Sequence, residues 1–345
     1  MAKRKSIEES YSEIIGELNK KIYKPIYYLA GDEYYYIDLI TDYIAENVLS
    51  ESEKAFNQVV LYGRDVTIPA LIDVARRFPM MSNYQVVIVK EAQVIKNIDE
   101  LEIYLNAPQK TTILVLNYKL APGASLTAKA KKIFDLSVKA GAALEFKRLY
   151  DNQVPVWITT YLKSKGIDIA PAPAELLRDY LGNDLSKIVN ELEKLIVTLP
   201  TETKRITPEH IERNIGISKD YNRFELNKAI AQRDVLKANR IVNYFASNPA
   251  ANPIQATIVS LYQYFRKIFT YHFIQDKSER NVSLQLGVNP FFIAEYRQAA
   301  RLFTKQKCMQ VFALLREYDM RSKGWNNESV DQGELLRELV FKIIH

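Results

Sequence analysis

Glycine is scarce in this chain of 345 residues: there are 11 glycines, and no two of them lie two or five positions apart. That spacing excludes both glycine-rich phosphate-binding motifs, G-x-x-x-x-G-K-[ST] and G-x-G-x-x-G, in which glycines let backbone N–H groups approach a phosphate closely. The sequence therefore does not encode a self-sufficient P-loop ATPase, and it predicts no nucleotide cofactor.

Histidine and cysteine are rarer still, with only His210, His272, His345 and a lone Cys308. No two histidines have the i, i+4 spacing of a helical zinc site, and nothing identifies a partner for a histidine-activated nucleophile. We predict no metal site and no catalytic residue. A single cysteine cannot form an internal disulfide, and the basic amino terminus is not followed by an apolar segment, so a cytosolic protein without a secretory signal is expected.

Long apolar runs are also missing: stretches such as residues 86–89 fall far short of the roughly 18–20 residues of a membrane-spanning helix. The composition, 48% hydrophobic and 26% charged, is that of an ordinary folded globular chain. At roughly 100–200 residues per domain, the length indicates two or three domains.

Short β-rich runs alternate with helical stretches between about residues 25 and 147. Strands are predicted at 26–30, 58–62, 85–89, 112–116 and 143–146, and helices at about 33–49, 66–78, 97–106 and 124–139. Several of the strands are apolar on both faces, which is typical of a parallel sheet covered by helices on both sides. This alternation predicts an α/β domain.

Only helices are predicted after Tyr150. A small group lies at 151–165, 172–181, 184–198 and 207–214, a linker at 216–221, and long amphipathic helices at 223–246, 253–275, 290–302, 304–320 and 331–344. We therefore predict three domains, at residues 1–147, 148–215 and 216–345.

The basic excess belongs to the last of these domains. Residues 1–215 carry 28 basic and 29 acidic side chains, a net −1, whereas residues 216–345 carry 19 and 12, a net +7. Such a patch could bind phosphate or an acidic protein, or it could be an ordinary solvated surface. One hypothesis is accordingly a free-standing DNA-binding protein that uses the basic helical domain, although the charge is weak for that role.

Four segments point to a known family. Residues 24–34 read KPIYYLAGDEY, residues 78–92 read FPMMSNYQVVIVKEA, and residues 182–185 read GNDL, followed by NELEKL at 190–195. Near the end, residues 318–324 read YDMRSKG. In this order and spacing they resemble the delta subunit of bacterial DNA polymerase III, a clamp-loader subunit, and GNDL with NELEKL is the most specific match. The resemblance spans about residues 25–325.

The resemblance implies a fold and an absence of catalysis. It implies an α/β AAA+-like domain (a RecA-type parallel sheet) lacking a phosphate loop, then a small helical lid domain and an all-α collar domain. The family has no ATPase activity and is associated with DNA-directed DNA polymerase activity only through the holoenzyme. Consistent with this, Tyr34, Tyr35 and Tyr36 follow the first strand, without the Lys or Ser/Thr that would hold phosphates and Mg²⁺. Lys90 at the end of the third strand opposes metal binding, and Asn117 is interpreted as a strand-end residue.

The resemblance also implies partners and contact residues. The family's hydrophobic clamp-contacting side chains fall on Met80 and Met81, next to Phe78 and Pro79, in a short exposed connection after the 66–78 helix. The residues alone favour another interpretation, in which both methionines close the domain core, since Met is a common gap-filler. Relatives often carry Leu-Phe where this chain has Met-Met.

Beyond the sliding clamp (beta), the implied partners are the gamma/tau and delta-prime subunits, through the collar, and primed DNA within the complex. The collar's apolar helices could instead form only an internal core. Aromatic side chains interleaved with Arg266 and Lys267 suggest nucleic-acid stacking, but such spacing is more often core with a basic flank. These aromatic residues are Tyr262, Tyr264, Phe265, Phe269, Tyr271 and Phe273.

Overall fold

The computed structural model describes residues 6–200, 204–215, 221–326 and 330–345. The chain divides into two compact units, one of residues 1–149 with 184–186 and one of residues 150–183 with 187–345. The first unit contains the predicted α/β domain. The further division of the second unit into lid and collar stays a prediction, and residues 216–220 of the predicted linker lie outside the described residues.

A parallel sheet forms the centre of the first unit, in the order β2-β3-β4-β1-β5. Its strands are β1 (Ile26–Gly31), β2 (Gln58–Tyr62), β3 (Gln85–Lys90), β4 (Thr112–Lys119) and β5 (Ala142–Phe146). All five predicted strands are thus confirmed. In β1, Tyr28 and Ala30 face the core that contains α4 and α6 residues, and Tyr27 and Leu29, also fully buried, face the opposite side.

Helices precede and connect these strands. They are α1 (Ile7–Asn19), α2 (Tyr34–Asn47), α3 (Glu51–Asn57), α4 (Ile68–Ala75), α5 (Glu102–Leu105) and α6 (Ala128–Ala140), with 3₁₀ turns at Ala92–Val94 and Ile98–Leu101. The sequence prediction missed α1 and α3, both of which begin with a serine capping box, at Ser6 and Ser50.

Asn117 is not a strand-end residue, because β4 continues to Lys119. The register with β1 extends the pairing to Gly31 opposite Lys119. Asn117 is therefore buried inside the strand, where its Oδ1 accepts a hydrogen bond of 2.8 Å from Thr41 Oγ1 of α2. The residue has a structural role in joining the sheet to α2.

The chain from residue 150 onward is mainly helical. Its helices are α7 (Val154–Ser164), α8 (Pro171–Leu181), α9 (Leu185–Thr198), α10 (Pro208–Ile215), α11 (Arg223–Ala231), α12 (Val235–Ser247), α13 (Ile254–Tyr271), α14 (Glu279–Leu286), α15 (Ile293–Leu302), α16 (Lys305–Ser322) and α17 (Gln332–Ile344). In the described part of the chain, no helix is both long and apolar enough to cross a membrane.

Two expectations for this region are wrong. A two-stranded parallel ladder, β6 (Asp168–Ile169) with β7 (Arg205–Ile206), interrupts the helices, and strands of two residues are too short to show an alternating pattern. The predicted 223–246 helix is two helices, since Arg233 has a left-handed φ of 54° and the Asp234 side chain caps α12 by accepting from the Lys237 N–H.

The aromatic residues of α13 belong largely to the core of the second unit. Tyr264, Phe265 and Tyr271 are buried in the cluster that unites α11 to α17, and Phe269 packs against it. The interpretation of this helix as core with a basic flank is the one that the structure favours over a stacking surface for nucleic acid.

Candidate protein-binding site at the amino edge of the sheet

The connection from α4 to β3, residues 76–84, carries an exposed apolar surface. We call it the 76–84 loop; it lies at the amino edge of the sheet, where the parallel strands begin. Met81 is fully exposed, and Phe78 and Met80 are 77% and 61% exposed. The structure therefore brings the predicted Phe78, Met80 and Met81 together on the surface, with Pro79 half-buried between them. The alternative in which the methionines close the core is wrong.

The loop starts from a firmly held helix end. The Thr67 side chain caps the start of α4, and Ile68, Leu71, Ile72 and Ala75 bury one face, as the sequence predicts. The helix is shorter than predicted, and side chains from the starts of two strands bind carbonyl groups at its end and just after it. Thr112 Oγ1 donates to Ala75 O at 2.7 Å, and Gln85 Nε2 donates to Arg77 O at 2.7 Å.

Asn57, the last residue of α3, fixes the backbone of Met80. Its side-chain Oδ1 accepts from Met80 N at 2.6 Å, and its Nδ2 donates to Met80 O at 2.9 Å. Asn57 is only 3% exposed, so the side chain that makes both hydrogen bonds is itself buried. Sequence reasoning missed this residue, because an asparagine at the end of a short helix gives no sign of a partner 23 positions later.

A second contact joins α3 to the loop. Hydrogen bonds from the Ser50 side chain and backbone, and then from the Ser82 side chain, lower the pKa of Glu53 below its usual value. Between the two contacts, Met81 adopts a left-handed φ of 53°, a conformation that costs a non-glycine residue roughly 1–2 kcal/mol. The Met81 side chain thus stands fully exposed on a backbone braced from both sides.

The opposite, carboxyl edge of the sheet is where open α/β sheets usually bind ligands. Here the turn after β1 packs directly against the end of β5. Glu33 N donates to Phe146 O at 3.1 Å, and Asp32 accepts from Arg148 N at 2.8 Å and from Gly123 N at 3.1 Å. A Cβ atom at Gly31 would lie 1.8 Å from Phe146 O.

A carboxyl group occupies the amino end of α2, the position that binds phosphate in many nucleotide-binding folds. Glu33 Oε1 accepts from Tyr35 N, and Glu33 is 3% exposed. Burial raises the pKa of Glu33 to about 7, against the opposing influence of the Tyr35 N–H and of Arg148. The amino end of α2 is therefore capped by the side chain of Glu33.

The rare histidine and cysteine residues make structural contacts. His210 Nδ1 lies 3.2 Å from Thr207 N, and His272 Nε2 lies 2.8 Å from Phe303 O. Cys308 is buried, and burial raises its thiol pKa to about 11, so at neutral pH it is a protonated core residue.

The second unit contains a cleft of about 450 Å³ beside α8 and α13. Its most prominent charge, Arg178, pairs with Glu175 at 2.7 Å and with Asp179 at 3.0 Å. Because these charges neutralise one another, the cleft presents no single ligand chemistry, and the amino edge remains the better candidate site.

Comparisons with known proteins agree with this reading of the fold. Residues 27–139 match the family model for DNA polymerase III, delta subunit. The chain is 26% identical over 333 residues to the DNA polymerase III subunit delta of Bacillus subtilis, covering 93% of each protein. The chain is therefore similar to DNA polymerase III delta subunits along nearly its whole length.

Two further relatives extend the match. A probable DNA polymerase III subunit delta of Aquifex aeolicus is 24% identical over 204 residues, or 58% of this chain and 57% of that protein. The solved structure of the Bacillus subtilis DNA clamp loader delta protein has the same fold: the match covers 97% of this chain and 99% of that chain, with a TM-score of 0.54 and 22% identity. The predicted architecture, a parallel-sheet α/β domain followed by helical regions, is confirmed.

Proposed function

We propose that this chain is the delta subunit of a bacterial clamp loader, which binds the sliding clamp (beta) and opens its ring for loading onto primed DNA. The observation that carries the proposal is the exposure of Met80 and Met81 on a braced loop in a chain that is similar to delta subunits. Contiguous exposed apolar side chains on a folded chain mark binding surfaces.

Met80 and Met81 are the proposed anchors, with Phe78 and Pro79 beside them. An unbranched methionine side chain fits an irregular apolar pocket on a partner. Because Asn57 already fixes the Met80 backbone, little conformational entropy is lost on binding. Relatives with Leu-Phe would present a more rigid pair, so the Met-Met pair relies more on this backbone support.

Ring opening follows from unequal affinity. A bound protein shifts a conformational equilibrium only by its differential affinity for the two states. The delta subunit therefore has to bind the clamp with one interface open more tightly than the closed ring. ATP-driven motion comes from other subunits of the loader, which control access to this surface.

The chain itself is proposed to be non-catalytic, a subunit of DNA-directed DNA polymerase only through the holoenzyme. Support comes from Glu33, whose carboxyl group fills the amino end of α2 where an ATPase binds phosphate. The proposed partners besides the clamp are the gamma/tau and delta-prime subunits, bound through the collar, and primed DNA. The proposed location is the cytoplasm.

The test is clamp binding by the full chain and by the double variant Met80→Asp/Met81→Asp. Burying two carboxylates in an apolar pocket should weaken binding at least about 100-fold, or roughly 2.7 kcal/mol. Leu284→Asp is the matched control, since Leu284 is an 81% exposed apolar residue of the second unit. It should bind the clamp normally, and all three proteins should keep the same circular dichroism spectrum. Unweakened binding by the double variant would remove the loop from the interface.

A folded chain that fails to bind the clamp at all would favour the free-standing DNA-binding hypothesis. That hypothesis predicts DNA affinity in the isolated chain, with log K falling steeply against log salt concentration.

A further inference from the structure

The face of α3 that braces the 76–84 loop carries another exposed aromatic side chain. Residues 53, 56 and 57 have i, i+3 and i+4 spacing, which places them on one face of a helix. Glu53 contacts Ser82 and Asn57 contacts Met80 on this face. Phe56 lies between the two contacts in sequence and is nevertheless 70% exposed.

Phe56 therefore borders the proposed clamp-binding surface, although it is more than 20 positions away in the sequence. The Asn57 backbone is tied through its side chain to Met80 by hydrogen bonds of 2.6 and 2.9 Å, so the neighbouring Phe56 is held close to the loop. Phe56, Phe78, Met80 and Met81 are thus exposed apolar side chains on two segments that Asn57 joins. A phenyl ring that is mostly exposed at the border of a proposed interface is well suited to bury its area against a partner.

Two basic side chains border this surface. Arg76 and Arg77, at the start of the loop, are both exposed. An apolar centre with a charged, solvent-accessible rim is the usual anatomy of a protein–protein interface.

We infer that α3 forms a second part of the clamp-binding surface, with Phe56 in direct contact with the clamp and Asn57 as a positioning residue. The inference rests on the proposed function and commits to the same partner, because the α3 face is continuous with the loop that carries Met80 and Met81. It adds a contact that lies outside the segment resembling the family's clamp-contacting motif.

The experiment compares Phe56→Ala with Tyr62→Ala in the clamp-binding assay. Tyr62 is a matched control, since it is an aromatic residue, 49% exposed, at the other end of the neighbouring edge strand β2. Strand β2 starts at the amino edge and ends at the carboxyl edge, so Tyr62 lies away from the loop. Phe56→Ala should weaken clamp binding about 10-fold, as expected for an exposed aromatic residue that becomes buried against a partner, and Tyr62→Ala less than about twofold.

The outcomes separate this inference from the proposed function. If Met80→Asp/Met81→Asp abolishes binding and Phe56→Ala behaves like Tyr62→Ala, the α3 contact is wrong and the proposed function stands. If the unchanged chain does not bind the clamp, the proposed function fails and the inference with it. An equal melting temperature for Phe56→Ala and Tyr62→Ala shows that a difference in affinity does not come from unfolding.

Discussion

The two edges of the parallel sheet differ in what they leave open to a partner. At the carboxyl edge, the turn after β1 is packed against the end of β5, and Glu33 caps α2. At the amino edge, the 76–84 loop exposes three large apolar side chains on a backbone held by buried polar groups. In this chain the usual ligand edge of an α/β sheet is filled by the protein itself, and the proposed binding surface lies at the opposite edge.

The two edges differ in which groups their buried polar side chains hydrogen-bond. Asp32 and Glu33 accept hydrogen bonds from the N–H groups of Gly123, Arg148 and Tyr35 at their edge, where a phosphate would otherwise bind. Asn57, Gln85 and Thr112 bind only main-chain or neighbouring polar groups beneath the loop and leave its apolar side chains exposed. The carboxyl edge is therefore occupied by side chains of the protein itself. The amino edge presents apolar side chains on a backbone that is already held in place.

The largest effect is expected for Gly31→Ala, which disturbs the packing of the turn after β1 against β5 at the carboxyl edge. The new Cβ would meet Phe146 O at 1.8 Å, at a φ of +132° that L residues rarely adopt. We expect a loss of about 3 kcal/mol or more in the free energy of unfolding, since backbone atoms on both sides have to move. Chemical denaturation measures this loss.

The matched control for Gly31→Ala is Gly16→Ala, within α1. A Cβ at Gly16 would meet nothing within 4 Å, and alanine is the better helix former by roughly 1 kcal/mol. This variant should be as stable as the unchanged chain or more stable. Equal stability of the two alanine variants would contradict the tight packing of the β1 turn against β5.

The next test removes the buried charge at the same edge with Glu33→Gln. The folded-state pKa of Glu33 is raised from 4.5 to about 7, so the folded state binds this proton more tightly than the unfolded state. The contribution of Glu33 to stability is fully present below pH 4.5 and is lost as the pH rises through about 7.

At pH 8, Glu33→Gln should therefore be more stable than the unchanged chain by about 1–3 kcal/mol, because one pKa unit corresponds to roughly 1.4 kcal/mol. The advantage should shrink as the pH falls towards 4.5. Urea denaturation at several pH values measures the difference, and a stability gap independent of pH would show that Glu33 does not titrate in this way.

The smallest predicted effect is that of Asn57→Ala, which removes the support of the 76–84 loop at the amino edge. Without the side-chain amide, the Met80 backbone loses both of its hydrogen bonds to Asn57. Clamp affinity should fall about 10-fold, since the loop then has to be ordered on binding. Hydrogen exchange at the Met80 amide should become faster while exchange within β1 and β4 stays slow. Unchanged affinity with a fast-exchanging Met80 amide would show that preorganisation of the loop does not matter.

Helices and strands with a regular apolar pattern can be predicted from the sequence, whereas contacts between residues far apart in the chain cannot. The five strands are predictable because their apolar runs are bounded by turns and helices. The exposure of Met80 and Met81 follows from the family resemblance, whereas the residues alone favoured a core position. Asn57 and Phe56 could not be found in this way, since their role depends on α3 folding back against a loop more than 20 positions later. The break at Arg233 was missed because a left-handed residue leaves the amphipathic pattern on either side intact.

The measurement that tests the central claim most directly is hydrogen–deuterium exchange of the full chain, alone, with the sliding clamp, and with ATP and Mg²⁺. We predict that the clamp protects residues 76–84 and the adjoining α3, and that ATP with Mg²⁺ leaves the amino end of α2 unchanged. Protection at residues 31–38 by ATP, or clamp binding that leaves residues 76–84 unprotected, would contradict the assignment of binding to the amino edge.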